Sequence, residues 1–190
     1  MDKIYINRAN IFTPFGNSIE SNWNQLVKGN SAVTKIDSFG HFENFYAGKI
    51  SDEIFLNLKT QVKDYQNYTR LEIIGILALK SVIDNSEITS KTGFILSTTK
   101  GNINQLINSL EEASISNFAK KIADYFGFKT EPIVVSNACV SGVLAVNVAK
   151  RFIEMDDFDD AYVLALDELT DFVLTGFNSF QAMDFELCKP

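Results

Sequence analysis

The chain has 190 residues, 46% of them apolar and 22% charged, with a net charge of −7; this is the composition of a globular protein large enough to bury a core. The acidic balance, with no run of Lys or Arg longer than two, excludes the basic stripe of a nucleic-acid binder and disfavours an anionic membrane surface. A single histidine and two cysteines, at 41, 139 and 188, are too few for a structural zinc site of His and Cys alone, and they exclude any mechanism that needs two histidines from this chain.

Lys3-Ile4-Tyr5-Ile6-Asn7 alternates polar and apolar residues and is expected to be a strand. The same stretch lacks the basic and apolar regions of an export signal, and no segment approaches the ~20 apolar residues of a membrane span. Two cysteines without an export signal point to reduced thiols in a cytoplasm. After the turn-rich Thr13-Pro14-Phe15-Gly16, Asn17 and Glu20 form an N-cap signature. The short helix that follows should bury a stripe of Trp23, Leu26 and Val27. Residues 29–48 read as irregular. Thr69-Arg70-Leu71-Glu72 is a capping box, and the apolar spacing after it predicts a helix to about Ile83. Thr92–Ser97 is expected to be a buried strand. Asn102 to about Glu112 should be a helix with Ile103, Leu106, Ile107 and Leu110 on one face. Phe118–Phe126 is predicted as a further helix closed by Gly127.

Pro132–Val135 reads as a short apolar strand, Ser136-Asn137-Ala138-Cys139 as a turn, and Val140 to about Met155 as a helix. No charged residue precedes Lys150 in that helix, so it is expected to be buried on most sides. The acidic loop 156–160 leads to another buried strand, Ala161–Leu166. Strands alternating with helices imply an α/β layer around a mostly parallel sheet. No linker, repeat or low-complexity tract divides the chain.

Ligands collect at the carboxyl ends of strands in open α/β sheets. Cys139 is expected there, at the first turn of a helix, where unpaired N–H groups and the positive end of the dipole favour a thiolate and could receive an oxyanion. Its neighbours Ala138, Ser141 and Gly142 are small enough for a substrate to approach. On position alone, Cys139 reads equally as a nucleophile or as a small buried hydrophobe.

Val135-Ser136-Asn137-Ala138-Cys139-Val140-Ser141-Gly142 resembles the active-site segment of the β-ketoacyl synthases, condensing enzymes of the thiolase-like superfamily. Further landmarks follow in the family's order. They are Ile11–Gly16, Trp23–Gly29, Ala47–Ile50, and the stretch from Phe177 through Met183 to Cys188-Lys189-Pro190. Asn137 and Val140 depart from the family's usual residues without touching the sulfur's chemistry. The resemblance implies an α/β, thiolase-like layered fold in its N-terminal half. That fold has a mostly parallel, mixed sheet flanked by helices and a buried catalytic-type helix. It assigns residues 1–190 as the N-terminal domain, without the C-terminal half from which decarboxylating members draw two histidines and a lysine.

By the same resemblance Cys139 accepts an acyl group from an acyl carrier protein or coenzyme A thioester. A malonyl-carrier thioester is then decarboxylated, and its carbanion condenses with the acyl-enzyme, as in fatty acid, polyketide or aryl-polyene synthesis. No cofactor and no metal is expected. The expected partners are the carrier protein and a second ketosynthase-like subunit, in a homodimer or a heterodimer. The alternative is a non-catalytic half-domain or partner subunit, which would leave an apolar face of the core helix exposed or covered by an oligomer.

Other features carry plainer readings. Asp156, Asp157, Asp159 and Asp160 lack EF-hand spacing and read as a solvated loop. Ser97-Thr98-Thr99-Lys100-Gly101 lacks a phosphate-loop signature and reads as a strand-to-helix connection. Phe177 and Phe180, with Met183, are candidates to line an acyl pocket, though such aromatics are more often core. Lys150 and Arg151 read as dipole capping. His41 reads as a surface or packing residue, its rival role being the base of a cysteine hydrolase or acyltransferase. Cys188 is assigned no role.

Overall fold

A computed structural model describes residues 3–184 and 186. In chain order the strands are β1 (Phe12–Thr13), β2 (Gly16–Asn17), β3 (Thr34–Phe39), β4 (Phe42–Ala47), β5 (Thr92–Ser97), β6 (Ile133–Val135) and β7 (Asp160–Ala165). The α-helices are α1 (Ile19–Leu26), α2 (Asp52–Lys59), α3 (Arg70–Ile83), α4 (Leu110–Ala113), α5 (Ile115–Phe126), α6 (Ser141–Glu154) and α7 (Asp171–Ser179). They form two compact units, one from Met1–Arg8 with Asp64–Glu168, the other from Ala9–Lys63 with Leu169–Pro190.

The first unit is an α/β layer on a parallel three-stranded sheet of order β6-β5-β7. Ile95 of β5 sits opposite Ile133 on one side and Val163 on the other. Every residue of β5 is buried, as a central parallel strand covered on both faces requires. At Gly93 a Cβ would overlap the Phe158 ring, so this strand position needs glycine. The capping box of α3 is complete: Thr69 Oγ1 accepts from Glu72 N–H at 3.2 Å, and Thr69 N–H donates to Glu72 Oε2 at 2.7 Å. That carboxylate is fully buried. Its other oxygen accepts from Asn102 Nδ2 at 2.8 Å and faces Lys121 Nζ at 3.2 Å, so its charge is paired as burial demands. Helix α3 ends at Ile83 as its periodicity predicts, and Gly127 caps α5 in the left-handed region at φ +78°.

Several expectations fail for physical reasons. Residues 3–7 are not a strand, because alternation supplies only one side of a ladder and no neighbouring strand pairs with them among the described residues. The expected helix from Asn102 to Glu112 is a 3-10 turn at Ile103–Ile107 followed by α4. Leu106, Ile107 and Leu110 are exposed, so the apolar spacing there finds nothing to pack against. Helix α5 begins three residues earlier than read, at Ile115, where Ser114 caps it.

In the second unit β1 pairs with β2, and buried Asn22 ties that turn together by donating to the carbonyls of Gly16 and Ser18 at 3.1 and 2.8 Å. Asn22 also receives a hydrogen bond from Thr13 Oγ1. The cap of α1 is Ser18 rather than Asn17, its hydroxyl accepting from Ser21 N–H at 3.0 Å. The expected buried stripe of α1 is exposed instead, at Trp23, Leu26 and Val27. Residues 34–47, read as irregular, form the antiparallel hairpin β3-β4. Its two-residue turn places Gly40 at φ +58°, where a Cβ would strike the Asp171 carboxylate.

Candidate functional site

Cys139 lies in the first unit, in the short 3-10 turn Ala138–Val140 that joins β6 to α6, and it is exposed. The chain thus delivers the thiol from the carboxyl end of a parallel strand to the start of a fourteen-residue helix. The turn is strained: Ala138, immediately before the cysteine, has φ +44°. For a residue with a Cβ, that left-handed conformation costs about 1–2 kcal/mol. Two hydrogen bonds to one side chain bracket it. Ser141 Oγ accepts from Asn137 N–H at 2.7 Å and donates to Ala138 C=O at 2.7 Å. Ser141 itself is buried.

Helix α6 docks on the sheet through Ala145 and Ala149, packed in a cluster with Ile95, Val135 and Phe158. Gly142 faces Ala165 at ordinary contact distance, 3.5 Å from its place for a Cβ to Ala165 Cβ. The opposite face is uncovered. Val143 is 78% exposed, and Val140 and Val146 also face outward, so the helix is not buried on most sides as expected. Absence of charge marked a helix with an apolar outer face, not a covered one. Lys150 pairs with Glu154 at 3.2 Å, and Arg151 sits in the last turn, where a cation complements the dipole.

Next to β6, the loop after β5 wraps a carboxylate from this chain. Asp167 Oδ1 accepts from Thr98 Oγ1 at 2.8 Å, and Thr99 donates to Asp167 through N–H and hydroxyl, the latter at 2.9 Å. Lys100 N–H adds a bond at 3.3 Å. An anion-binding loop would turn such donors to a ligand; here Asp167 occupies them, in keeping with a structural connection. Thr98 N–H also donates to Val135 C=O at 3.4 Å, linking this loop to the strand that carries the cysteine turn. Nearby, Arg70 Nε and Glu168 Oε1 pair at 3.2 Å with both side chains partly buried.

Phe177 and Phe180 belong to the second unit, Phe177 in α7 and Phe180 capping its end, and both are exposed. His41 is in the β3-β4 turn of that unit, its side chain 88% exposed, with Nε2 3.5 Å from Asp171 Oδ2 and its backbone N–H donating to Asp171 Oδ1 at 2.9 Å. Cys188 lies outside the described residues. Lys91 Nζ sits 3.3 Å from Asp156 Oδ1 and 3.5 Å from Asp159 Oδ1, so a lysine answers the acidic loop. Among the described residues no three His, Cys, Asp or Glu side chains gather as a metal site would, and no helix is long and apolar enough to cross a membrane.

Ser141 and Asp167 were missed at the level of sequence. Ser141 had a local signal, a hydroxyl a few residues past a tight turn; Asp167 had none, since its partners are more than sixty residues away.

No family model matches the chain. It is 23% identical over 180 residues to 3-oxoacyl-[acyl-carrier-protein] synthase 2 of Vibrio harveyi, a match that covers 82% of this chain and 43% of that protein. Its fold is similar to that of a chain in the complex of the ketosynthase ApeO with its chain length factor ApeC from Xenorhabdus doucetiae, with a TM-score of 0.75 and 17% identity over 98% of this chain and 52% of that one. A beta-ketoacyl synthase from Burkholderia phymatum is similar at a TM-score of 0.71 and 18% identity, over 97% of this chain and 52% of that one. The chain spans about half the length of the relatives it matches. The resemblance read from the sequence holds over most of the chain, and the fold is thiolase-like α/β, a parallel sheet flanked by helices.

Proposed function

We propose that this chain, similar to the β-ketoacyl synthases in sequence and fold, is the N-terminal half of a condensing enzyme whose acyl acceptor is Cys139. The observation that carries the reading is the exposed thiol on a strained turn between a parallel strand and a helix, within a ketosynthase-like fold. The Cys139 thiolate would attack the carbonyl carbon of an acyl-carrier-protein or coenzyme A thioester. The carbon–sulfur bond to the carrier breaks, the carrier leaves as its thiolate and takes a proton from water, and an acyl-enzyme remains. The positive dipole end at the start of α6 would help to stabilise the oxyanion formed in that step.

Condensation proper belongs to the second step, in which a malonyl-carrier thioester loses carbon dioxide and the carbanion attacks the acyl-enzyme. Donors for that enolate must come from elsewhere, because the resemblance implies two histidines and a lysine for this step and the chain has a single histidine. The reading therefore divides the reaction: acyl transfer to Cys139 here, decarboxylation only with a second half or subunit. Incubation with an acyl-carrier-protein thioester followed by peptide mass spectrometry tests it. The expected result is acylation of Cys139 over Cys188, with no carbon dioxide released from a malonyl thioester. No acylation, or equal slow acylation of both thiols, would remove the claim.

A second reading is favoured by the exposed apolar faces of α1 (Ile19, Trp23, Leu26, Val27) and of α6 (Val140, Val143, Val146). Faces of this kind on a monomer mark a covered surface. The chain would then be a partner subunit that binds a ketosynthase-like protein, as the Xenorhabdus ketosynthase binds its chain length factor. Under that reading it associates with such a protein and leaves Cys139 unacylated.

A further inference from the structure

Resting on the reading of Cys139 as acyl acceptor, we infer that Ser141 is its positioning residue: the buried hydroxyl holds Ala138 in the left-handed conformation that presents the thiol. Ala138 is one of six non-glycine residues with positive φ among those described, and the one that directly precedes the candidate nucleophile. A side-chain Cβ opposes that conformation, so something must hold it. Within the turn, backbone bonds to the residues around Ala138 run from Val140 N–H to Asn137 C=O at 3.2 Å and from Ser141 N–H to Ala138 C=O. They would form in an ordinary helical turn as well and do not select positive φ.

The bond from the Asn137 N–H is the selective one; a serine hydroxyl donating to the carbonyl three residues back also occurs in ordinary helical turns of this chain, at Ser81 and Ser179. One oxygen reaches the N–H of Asn137 and the C=O of Ala138, each at 2.7 Å. It thereby fixes two peptide planes relative to each other across the strained pair. The second of these planes is the one that carries the Cys139 N–H. Its rotation would re-orient that N–H and the Cα–Cβ bond bearing the sulfur. Ser141 can act as a fixed clamp because it is buried in the face of α6 that docks on the sheet, in register with Ala145 and Ala149. A hydroxyl with one donor and two acceptor sites is the smallest side chain that can take both bonds. Alanine at this position would leave the Asn137 N–H without its partner and free Ala138 to return to negative φ.

Ala138→Gly makes positive φ inexpensive and so separates a clamp on strain from simple packing. The measurement is the second-order rate of iodoacetamide labelling at Cys139 between pH 6 and 10, read by peptide mass spectrometry against Cys188 of the same chain as internal reference. Ser141→Ala should lower the Cys139-to-Cys188 ratio by about tenfold, the factor that corresponds to loss of the left-handed conformer. The double variant Ala138→Gly/Ser141→Ala should recover to within about threefold of the parent. A Ser141→Ala ratio unchanged within twofold, or a loss that glycine does not relieve, would overturn the inference. If Ser141→Ala alone loses its far-UV signal, the double variant decides: a regained signal supports the clamp, and continued unfolding rejects it in favour of a packing role. The acyl-thioester experiment stands apart from this one. Cys139 left unacylated beside a ratio that responds to Ser141 would sink the functional reading and keep the clamp, and acylation beside an unresponsive ratio would do the reverse.

Discussion

At Asp167 a single carboxylate gathers the hydroxyls of Thr98 and Thr99 and the N–H groups of Thr99 and Lys100. Thr98 is buried, so its hydroxyl has no ready water to replace the carboxylate. Asp167→Ala should lower stability by about 1 kcal/mol, because most of the other donors reach solvent and only the buried one loses its partner outright. A urea midpoint unchanged from the parent would show that the loop holds itself. Tyr68 offers a test in pH. Burial is the main cause that raises its phenol above the ordinary value, with Tyr125 once it ionises and the carboxylates Glu72, Asp64 and Asp124 adding to it. The folded state therefore keeps this proton longer than the unfolded chain. Its contribution is whole below the unfolded value near 10 and is lost as pH rises through the folded one. Thermal melts of Tyr68→Phe from pH 8 to 11 should fall less steeply above about pH 10 than those of the parent; parallel curves would remove Tyr68 from the alkaline transition.

At the scale of elements, close approach decides what β5 and α6 tolerate. Gly93→Ala drives a Cβ into the Phe158 ring, which stacks on Phe152 at 5.0 Å in a packed cluster. Overpacking of that kind should cost about 1–3 kcal/mol. Gly142→Ala, whose Cβ would meet Ala165 at 3.5 Å, should be neutral or should stabilise by up to about 1 kcal/mol through helix propensity. Paired denaturant titrations check the contrast, and equal losses at both positions would show that the spacing around β5 relaxes. The same elements show what could be read in advance. The capping box at Thr69, the buried run of β5 and the glycine after α5 were legible because each is a short-range pattern enforced by backbone donors or by a wholly apolar strand. The strand at 3–7 and the helix at 102–112 were not, because periodicity names a face without supplying the surface it packs on. The hairpin at 34–47 was signalled only by Gly40 at its turn, because neither TKIDSF nor FENFYA alternates. Its aromatic and polar mixture hid that signal. Of the site, the cysteine turn was visible as a motif, whereas its support by Ser141 depends on a backbone angle that no residue type declares.

For the molecule as a whole, the unanswered apolar surface is the feature with the largest consequence. Residues 19, 23, 26 and 27 follow helical spacing along α1, and residues 140, 143 and 146 do so along the turn and α6; all seven are exposed. A helix stripe of that spacing ordinarily faces a core. Contiguous exposed apolar patches on monomers are rare enough to mark contact surfaces. The net charge of −7 opposes self-association but does not cover the stripes. The chain is therefore expected to associate at micromolar concentration, running in size-exclusion chromatography with light scattering well above its 21.3 kDa. Val143→Glu with Val146→Lys changes two outward-facing positions that contribute little to the fold, so far-UV circular dichroism should be unchanged. If the α6 face is the contact, the same pair should shift the chain toward monomer, while Trp23→Ser in α1 leaves association through α6 in place. A parent chain that stays monomeric at tens of micromolar would show that these faces are tolerated in water. The case for a subunit surface would then rest on α6 beside Cys139 engaging a different protein, and the acylation experiment would become the one that separates enzyme from partner.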